Sequence, residues 1–182
     1  MIKGMVLAGG KSLRFGSDKA LANVGGVTFL EKSVRLLQSL ALEVTIISNP
    51  SRDYSFLGCR VENDLIMEKG PLGGLFTALT LFPKSALFIL TCDMPYVSKE
   101  ALQKLVQAHD PIHQATIFKS KGPKLQPFPG IYESSLKEVA AARVMGTALS
   151  MQAFLKQIPT LQKVDLADAY DDLIDINTPK DL

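Results

Sequence analysis

The stretch that most constrains the fold of this chain is Lys3 to Lys19, with the sequence KGMVLAGGKSLRFGSDK. It opens with the apolar run Met5–Ala8, which is too short for a buried helix and has the length of a buried strand. Gly9-Gly10 ends that run, and two glycines let the backbone turn sharply and let a ligand approach without meeting a Cβ. Arg14 and Lys19 follow within about ten residues. A strand, a glycine turn with free peptide N–H groups and two cations together predict a site for a polyphosphate.

A tight strand-to-helix turn without a ligand is the simpler interpretation of an isolated Gly-Gly pair. Here the close spacing of Arg14, Asp18 and Lys19 behind that pair favours phosphate binding. The sequence 10–12, GKS, also matches the end of the P-loop pattern. That pattern requires a glycine where this chain has Met5, and the residues after Met5 are apolar and strand-like. We therefore reject the P-loop interpretation.

Composition favours an ordinary globular protein. The 182 residues are 47% hydrophobic and 21% charged, and this length predicts a single domain over 1–182. The net charge of +2 is too small to indicate a nucleic acid or an anionic membrane as partner. No apolar run approaches ~18 residues and no signal-peptide pattern is present, so neither a membrane span nor secretion is expected. Cys59 and Cys92 are far apart and form no C-x-x-C motif, which fits a reduced, cytoplasmic location.

The apolar periodicity of the first half predicts alternating strands and helices. Thr28-Phe29-Leu30-Glu31 has the form of a capping box, and helical spacing of apolar residues continues to about Ala41. Further elements are predicted at 43–49 (strand), 60–64 (strand), 70–82 (helix) and 86–91 (a central strand). A strand, a helix and a strand within fifty residues form a βαβ unit. The prediction is therefore a three-layer α/β/α Rossmann-like fold, with a mostly parallel central sheet and helices on both faces.

The second half is less regular. Ser98 is expected to cap a helix that ends near His109, and strands are predicted at 115–119 and 125–132. The second of these strands contains Pro127, Pro129 and Gly130, which predicts an edge or irregular strand. Helices at 134–145 and 148–158 and a short strand at 160–164 complete the prediction.

Polar side chains follow several predicted strands directly. In an open parallel sheet, ligands bind beyond the carboxyl ends of the strands, where Asn49, Asp64 and Asp93 are expected. Asp93 follows the central strand and is placed to hold a hard cation such as Mg²⁺. Each residue also has a plain interpretation: Asn49-Pro50 as a turn, Asp64 as a solvated loop carboxylate, and Asp93 as the cap of the turn before Pro95.

These residues carry a resemblance to a known family. LAGGKSLRFGSDKAL resembles the L-A-G-G-x-x-x-R-[MF]-G-x-D-K signature of the MobA-like nucleotidyltransferases, the molybdenum cofactor guanylyltransferases. The segments GPLGG at 70–74, preceded by Asp64, CDMP at 92–95 and INTPKDL at 176–182 also resemble motifs of that family. The resemblance implies a nucleotide-diphospho-sugar transferase-like fold. It departs from the family at Asp175, where many relatives have Asn, which leaves open whether Asp175 joins Asp93 on the metal.

The resemblance also implies the site residues. Nucleotide-binding residues would be Leu7, Ala8, Gly9, Gly10, Lys19, Asn49, Asp64 and Asp93; catalytic residues would be Arg14, Lys19 and Asp93; Asp93 would be the Mg²⁺ ligand. The segment 126–128, QPF, and Tyr132 match the acceptor side. Lys119, Lys121 and Lys124 are candidates for an acceptor phosphate, although a solvated hairpin tip explains them equally well.

The function implied is transfer of GMP from GTP to the phosphate of molybdopterin, with release of pyrophosphate by a monomeric enzyme. One alternative is a transferase of the same fold that uses CTP or another triphosphate and a different phosphorylated acceptor. Another alternative is a nucleotide-binding module without catalysis, although the presence of Arg14, Lys19 and Asp93 together argues against it. A dinucleotide oxidoreductase is disfavoured because no G-x-G-x-x-G motif follows the first strand.

Overall fold

The computed structural model describes residues 1–9, 18–120, 122–147, 149–166, 173–176, 178 and 181. In chain order, the strands of these residues are β1 (Ile2–Leu7), β2 (Asn23–Val24), β3 (Val27–Thr28), β4 (Val44–Ser48), β5 (Arg60–Asn63), β6 (Ala86–Thr91), β7 (Ala115–Phe118), β8 (Gln126–Tyr132) and β9 (Leu161–Val164). The α-helices are α1 (Phe29–Gln38), α2 (Gly70–Leu81), α3 (Lys99–Ala108), α4 (Lys137–Met145) and α5 (Met151–Leu155). Short 3₁₀ helices lie at Lys19–Leu21, Ser55–Leu57 and Ser134–Leu136.

Seven strands form one sheet in the order β5-β4-β1-β6-β8-β7-β9. The pairs β5-β4, β4-β1, β1-β6 and β7-β9 are parallel, and β8 is antiparallel to both of its neighbours. The predicted mostly parallel sheet is confirmed. β2 and β3 form a separate antiparallel hairpin. Gly25 and Gly26 have positive φ at its tip, which supplies the backbone twist that a two-residue hairpin turn needs.

Helices cover both faces of the sheet. A Cβ built on Gly4 of β1 would lie 3.3 Å from Leu37 of α1, whereas a Cβ on Gly74 of α2 would lie 3.0 Å from Leu7 of β1. Gly4 and Leu7 are three residues apart on one strand, so they point to opposite faces. Since α1 packs on one face and α2 on the other, the predicted three-layer architecture is confirmed.

The two helices differ in how the sequence specifies them. The Thr28 hydroxyl accepts from Glu31 N at 3.2 Å, which begins α1, and Leu30, Val34 and Leu37 form its buried face. The helix ends at Gln38, before the predicted Ala41, which itself has a φ of +58°. By contrast, α2 is buried on nearly all sides because it lies between the sheet and α4. The close approach of Gly74 to β1 indicates that a glycine in 70–74 serves close packing of the helix on the sheet.

Of the two alternatives predicted for residues 125–132, an edge or an irregular strand, the structure shows the irregular one. β8 lies inside the sheet, but its pairing with β6 covers only Gly130 to Tyr132. Pro127 and Pro129 therefore lie beyond that ladder, where the missing N–H groups remove no hydrogen bond to β6. The pairing with β7 shifts register between Ile117 and Phe118. The edges of the sheet are β5 and β9.

Two smaller expectations also meet the structure. The last predicted helix, 148–158, is shorter, because Ser150 caps α5 at Ala153 N and the helix spans Met151–Leu155. Cys59 and Cys92 are both free thiols. Among the residues that the structure describes, no helix has the length and apolar character needed to cross a membrane.

Candidate active site

Four of the predicted site residues lie in one row at the carboxyl edge of the sheet. Leu7 pairs with Ile47 and with Thr91, and Ile47 pairs with Glu62. Gly9, Asn49, Asp93 and Asp64 each lie two residues beyond these paired positions. Neighbouring strands are about 5 Å apart, so a nucleotide can span the row. The register thus brings together residues that are as many as 84 positions apart in the sequence.

Backbone hydrogen bonds extend the sheet just past its strands and fix this row. Ala8 N donates to Ile47 O at 2.8 Å, and Cys92 N donates to Leu7 O at 3.2 Å. Asp64 N donates to Ser48 O at 2.8 Å. Leu7 and Ala8 therefore build the bend through their main chain, and the N–H of Ala8 already serves the sheet.

An ion pair between Lys19 and Asp93 lies at the centre of the site. Lys19 begins the 3₁₀ helix that follows the first loop, and its Nζ is 3.1 Å from Asp93 Oδ2. The two side chains are 13% and 25% exposed. The other carboxylate oxygen, Asp93 Oδ1, is buried and has no hydrogen-bond partner among the described residues. Burying an ionised oxygen without a partner costs free energy, so this atom is placed to receive a cation or a donor.

Asp175 lies close to this ion pair. Ile176 N donates to the carbonyl oxygen of Asp93 at 2.8 Å, which ties the neighbouring Asp175 to the same loop. Burial, together with the charge of Asp93 and against the opposing charge of Lys19, raises the pKa of Asp175 to about 6. Asp175 nevertheless keeps an exposed surface. Its carboxyl group therefore places a second set of carboxylate oxygens near Asp93.

These donors fit Mg²⁺. The ion is hard, prefers oxygen, and is typically bound through one or two carboxylates together with substrate phosphates and water. No cluster of three or more His, Cys, Asp or Glu side chains suited to a metal occurs within the described part of the chain. A site with Asp93 as its main ligand and Asp175 nearby matches the weaker, substrate-completed type of magnesium site.

Gly9 and Asp64 meet on the other side of the row. A Cβ added to Gly9 would lie 2.6 Å from Asp64 Oδ2, so only glycine leaves room for this carboxylate. The hydroxyl of the fully buried Thr77 on α2 accepts from Leu65 N at 3.0 Å and donates to Asp64 Oδ1 at 3.4 Å. Burial raises the pKa of Asp64 to about 6, and the Thr77 hydrogen bond opposes the rise. Asp64 is thus a held, half-buried group rather than a solvated loop carboxylate.

Asn49 lies in the row but bonds locally. Its Oδ1 accepts from Ser51 N at 3.1 Å and from Ser51 Oγ at 3.2 Å. This is an Asx-type turn after β4, which is what the Asn-Pro sequence indicates on its own. The side-chain amide nitrogen takes no part in these two bonds, and contact of Asn49 with a nucleotide stays a prediction.

Some predicted residues are not brought to the row. Gly10, Arg14 and Lys121 lie outside the described residues. Tyr132 is fully buried, and its hydroxyl donates to Pro127 O. It therefore shapes β8 instead of facing an acceptor. Lys119 Nζ forms an exposed ion pair with Asp165 at 3.3 Å, which suits the solvated-tip interpretation.

Sequence reasoning missed three contributors to the site. Thr77 holds Asp64, and Arg52 and Tyr54 both contact the carboxylate of Asp18, next to Lys19. None of the three stands in a recognisable motif. Only the spacing of Asp18 within the first loop signalled that this carboxylate needed partners.

The profile of the MobA-like NTP transferase domain matches residues 4–161. The chain belongs to this family. A relative from Flavobacterium johnsoniae, named probable molybdenum cofactor guanylyltransferase, is 32% identical over 154 residues, which cover 85% of this chain and 80% of the relative. A relative of the same name from Aquifex aeolicus is 32% identical over 178 residues, covering 97% and 86%. The MobA-like sheet and helices also superpose on a crystal structure of an Aquifex aeolicus protein with a TM-score of 0.81, at 29% identity and coverage of 97% and 93%. This MobA-like chain is accordingly a nucleotidyltransferase.

Proposed function

We propose that this MobA-like transferase moves GMP from GTP to the phosphate of molybdopterin, forming molybdopterin guanine dinucleotide and releasing pyrophosphate. The observation that carries the proposal is the Lys19–Asp93 pair in the same row as the Gly9 bend, with Asp93 Oδ1 lacking a partner among the residues that the structure describes. The choice of guanine and of molybdopterin is supported by the names of relatives that match most of their own length.

The chemistry asks little of the protein beyond alignment and charge. An oxygen of the acceptor phosphate attacks the α-phosphorus of the triphosphate in line, the bond from that phosphorus to the β-bridging oxygen breaks, and pyrophosphate leaves. A phosphomonoester has a second pKa of about 6 and is already ionised near neutral pH, so it needs no strong general base. The row of Gly9, Asn49, Asp64 and Asp93 contains no histidine, which suits this reaction. Repulsion between anions is the main barrier that the site must lower.

Roles then follow for the described residues of the site other than Asn49. Lys19 holds triphosphate oxygens, and the glycine at position 9 lets the chain pass close to them. Asp93 would hold Mg²⁺ through the oxygen that Lys19 leaves unused, with Asp175 beside it. When bound, this ion neutralises charge on the phosphate oxygens. Asp64, held by Thr77 next to Gly9, accepts hydrogen bonds from the nucleoside. Arg14 is assigned to the leaving pyrophosphate.

The test is pyrophosphate release with each of the four nucleoside triphosphates, in the presence of molybdopterin and Mg²⁺. We expect release with GTP that is lost when either EDTA is added or the acceptor is omitted. A preference for CTP, UTP or ATP would overturn the assignment of guanine. Tight GTP binding without release in the complete mixture would show that the chain binds nucleotide without transferring it.

A further inference from the structure

The carboxylate of Asp18 is held by three partners. Its Oδ1 accepts from Ala20 N at 3.1 Å, which caps the 3₁₀ helix Lys19–Leu21. Its Oδ2 accepts from the Tyr54 hydroxyl at 2.9 Å and forms an ion pair with the Arg52 guanidinium. The Asp18 side chain is 12% exposed and Tyr54 is 1% exposed. A carboxylate satisfied this fully, away from bulk water, fixes the backbone to which it is attached.

The partners come from two different sides of the site. Arg52 N donates to Asn49 O at 3.0 Å, so Arg52 closes the turn that begins at Asn49 after β4. Tyr54 follows in the same segment. On the other side, Asp18 immediately precedes Lys19, whose side chain reaches Asp93 beyond β6. The Asp18 carboxylate thus joins the segment that carries Lys19 to the segment that leaves β4.

We propose that Asp18 is a positioning residue for Lys19, and that Arg52 and Tyr54 hold Asp18 for this purpose. The proposal rests on the proposed function in one respect, namely that Lys19 receives nucleotide phosphates. Lysine is a point charge on a flexible stem, so the placement of its backbone decides how well its ammonium group meets a phosphate. The N-cap bond to Ala20 fixes the first turn after Asp18, and the contacts with Arg52 and Tyr54 fix the cap.

This arrangement also defines what Arg52 does. Its guanidinium lies at the site and is about a third exposed, which would suit a phosphate ligand. Its charge is already neutralised by the ion pair with Asp18, however, and the Tyr54 hydroxyl donates to the same carboxylate oxygen. Burial, followed by the hydrogen bond to Asp18, raises the pKa of Tyr54, so the hydroxyl stays a neutral donor. Arg52 therefore acts through Asp18 and not on the nucleotide.

The experiment compares Asp18→Asn, Arg52→Gln, the double variant and Arg52→Lys in steady-state kinetics with GTP as the varied substrate. Asn at position 18 keeps an oxygen for the Ala20 cap, but it loses the ion pair with Arg52 and the oxygen that accepts from the Tyr54 hydroxyl. We expect the KM for GTP to rise about tenfold in each single variant, with kcat within about threefold of wild type. The double variant should be no worse than Asp18→Asn, because Asp18→Asn already removes the contact with Arg52. Arg52→Lys, which keeps the charge, should recover part of the KM.

Glu133→Gln is the matched control. Glu133 Oε1 lies 2.9 Å from His109 Nε2 at the amino edge of the sheet. The substitution therefore removes a comparable half-buried carboxylate from a place remote from Lys19. It should lower the melting temperature and leave the KM unchanged. The proposal is overturned if Asp18→Asn keeps the wild-type KM, or if it changes kcat and KM no more than the control does at equal loss of stability.

A second measurement separates this proposal from the function. If wild type releases no pyrophosphate with any triphosphate, the proposed function fails, and the kinetic comparison cannot test the positioning role of Asp18. Hydrogen exchange of the Ala20 and Leu21 amides then tests the position of the 3₁₀ helix directly. Faster exchange in both Asp18→Asn and Arg52→Gln, but not in Glu133→Gln, supports the proposal, and unchanged exchange overturns it.

Discussion

Two polar clusters lie at opposite edges of the sheet, and they differ in how completely they are bonded. At the amino edge, the ring nitrogens of His109 contact Thr116 Oγ1 at 3.0 Å and Glu133 Oε1 at 2.9 Å, and Thr116 donates to Gln162 at 3.1 Å. At the carboxyl edge, Lys19 meets one oxygen of Asp93 while the other is buried without a partner among the described residues.

The difference indicates which of the two clusters can bind a ligand. A polar network whose members bond to one another joins elements, here α3, β7, β9 and the end of β8. An incomplete one keeps a bonding site that a substrate or ion can complete.

The largest expected effect of any single change is at Asp93. Asp93→Ala removes the proposed magnesium ligand, and turnover should fall by roughly a thousandfold, a loss typical of removing one group that stabilises developing charge. The fold should persist, since the substitution removes the ion pair with Lys19 but keeps the backbone hydrogen bond from Ile176 N to Asp93 O. Pyrophosphate release and circular dichroism on the same preparation check this. Turnover within about tenfold of wild type would remove Asp93 from its role and with it the contrast between the two clusters.

The next effect tests the space beside the row. Gly9→Ala places a Cβ 2.6 Å from Asp64 Oδ2, so the carboxylate or the bend must move. We expect kcat/KM for the nucleotide to fall about a hundredfold, because small displacements at a reacting site are costly. Gly146→Ala is the control, since its Cβ would meet only ordinary contacts at 3.5 Å. Equal kinetics in the two variants would contradict the proposed approach of the nucleotide to Gly9.

The amino-edge cluster makes the opposite prediction. Glu133→Ala leaves the His109 ring nitrogen without its partner, which should lower the free energy of unfolding by about 2 kcal/mol. The kinetic constants should stay at wild-type values. Denaturant titration and steady-state rates measure both quantities. A selective change in KM without loss of stability would show that this cluster communicates with the site.

The contrast between the clusters also explains what the sequence could reveal. The row of Gly9, Asn49, Asp64 and Asp93 was predictable because each residue lies at the end of a predicted strand, and parallel strands align their ends. Local signals such as the Thr28 and Ser98 caps are equally visible in the chain, and the structure places them as helix starts.

Contacts made across long sequence distances could not be read in this way. Thr77 is one polar residue in an apolar helix, and nothing local indicates that it reaches Asp64. Arg52 and Tyr54 lie 34 and 36 positions from Asp18 in a segment without a motif. The same limit applies to β8, whose prolines indicated an edge. Its ladder to β6 uses only three residues past the prolines, a property of the strand order and not of the strand itself.

The smallest expected effect concerns the protonation of Asp64. It tests whether the ionised carboxylate of Asp64 destabilises the folded protein. Burial raises the pKa of Asp64 from 3.8 to about 6 in the folded protein. Between these values the folded state retains a proton that the unfolded chain has released, so this group lowers stability as the pH rises from about 4 to about 6 and has no further effect above. Asp64→Asn does not titrate. As the pH rises across that window, the free energy of unfolding of Asp64→Asn should increase relative to that of wild type by on the order of 1 kcal/mol, after allowance for solvent screening. From pH 7 to 8 the difference between the two proteins should stay constant. Asp175, which titrates in a similar range, is common to both proteins and cancels in the difference. Urea titrations at closely spaced pH values, without metal or nucleotide, measure the gap. If the free energies of unfolding of the two proteins run parallel with pH, Asp64 is as well solvated in the folded state as in the unfolded one. The carboxyl edge would then lack one of the destabilised carboxylates by which it differs from the amino edge.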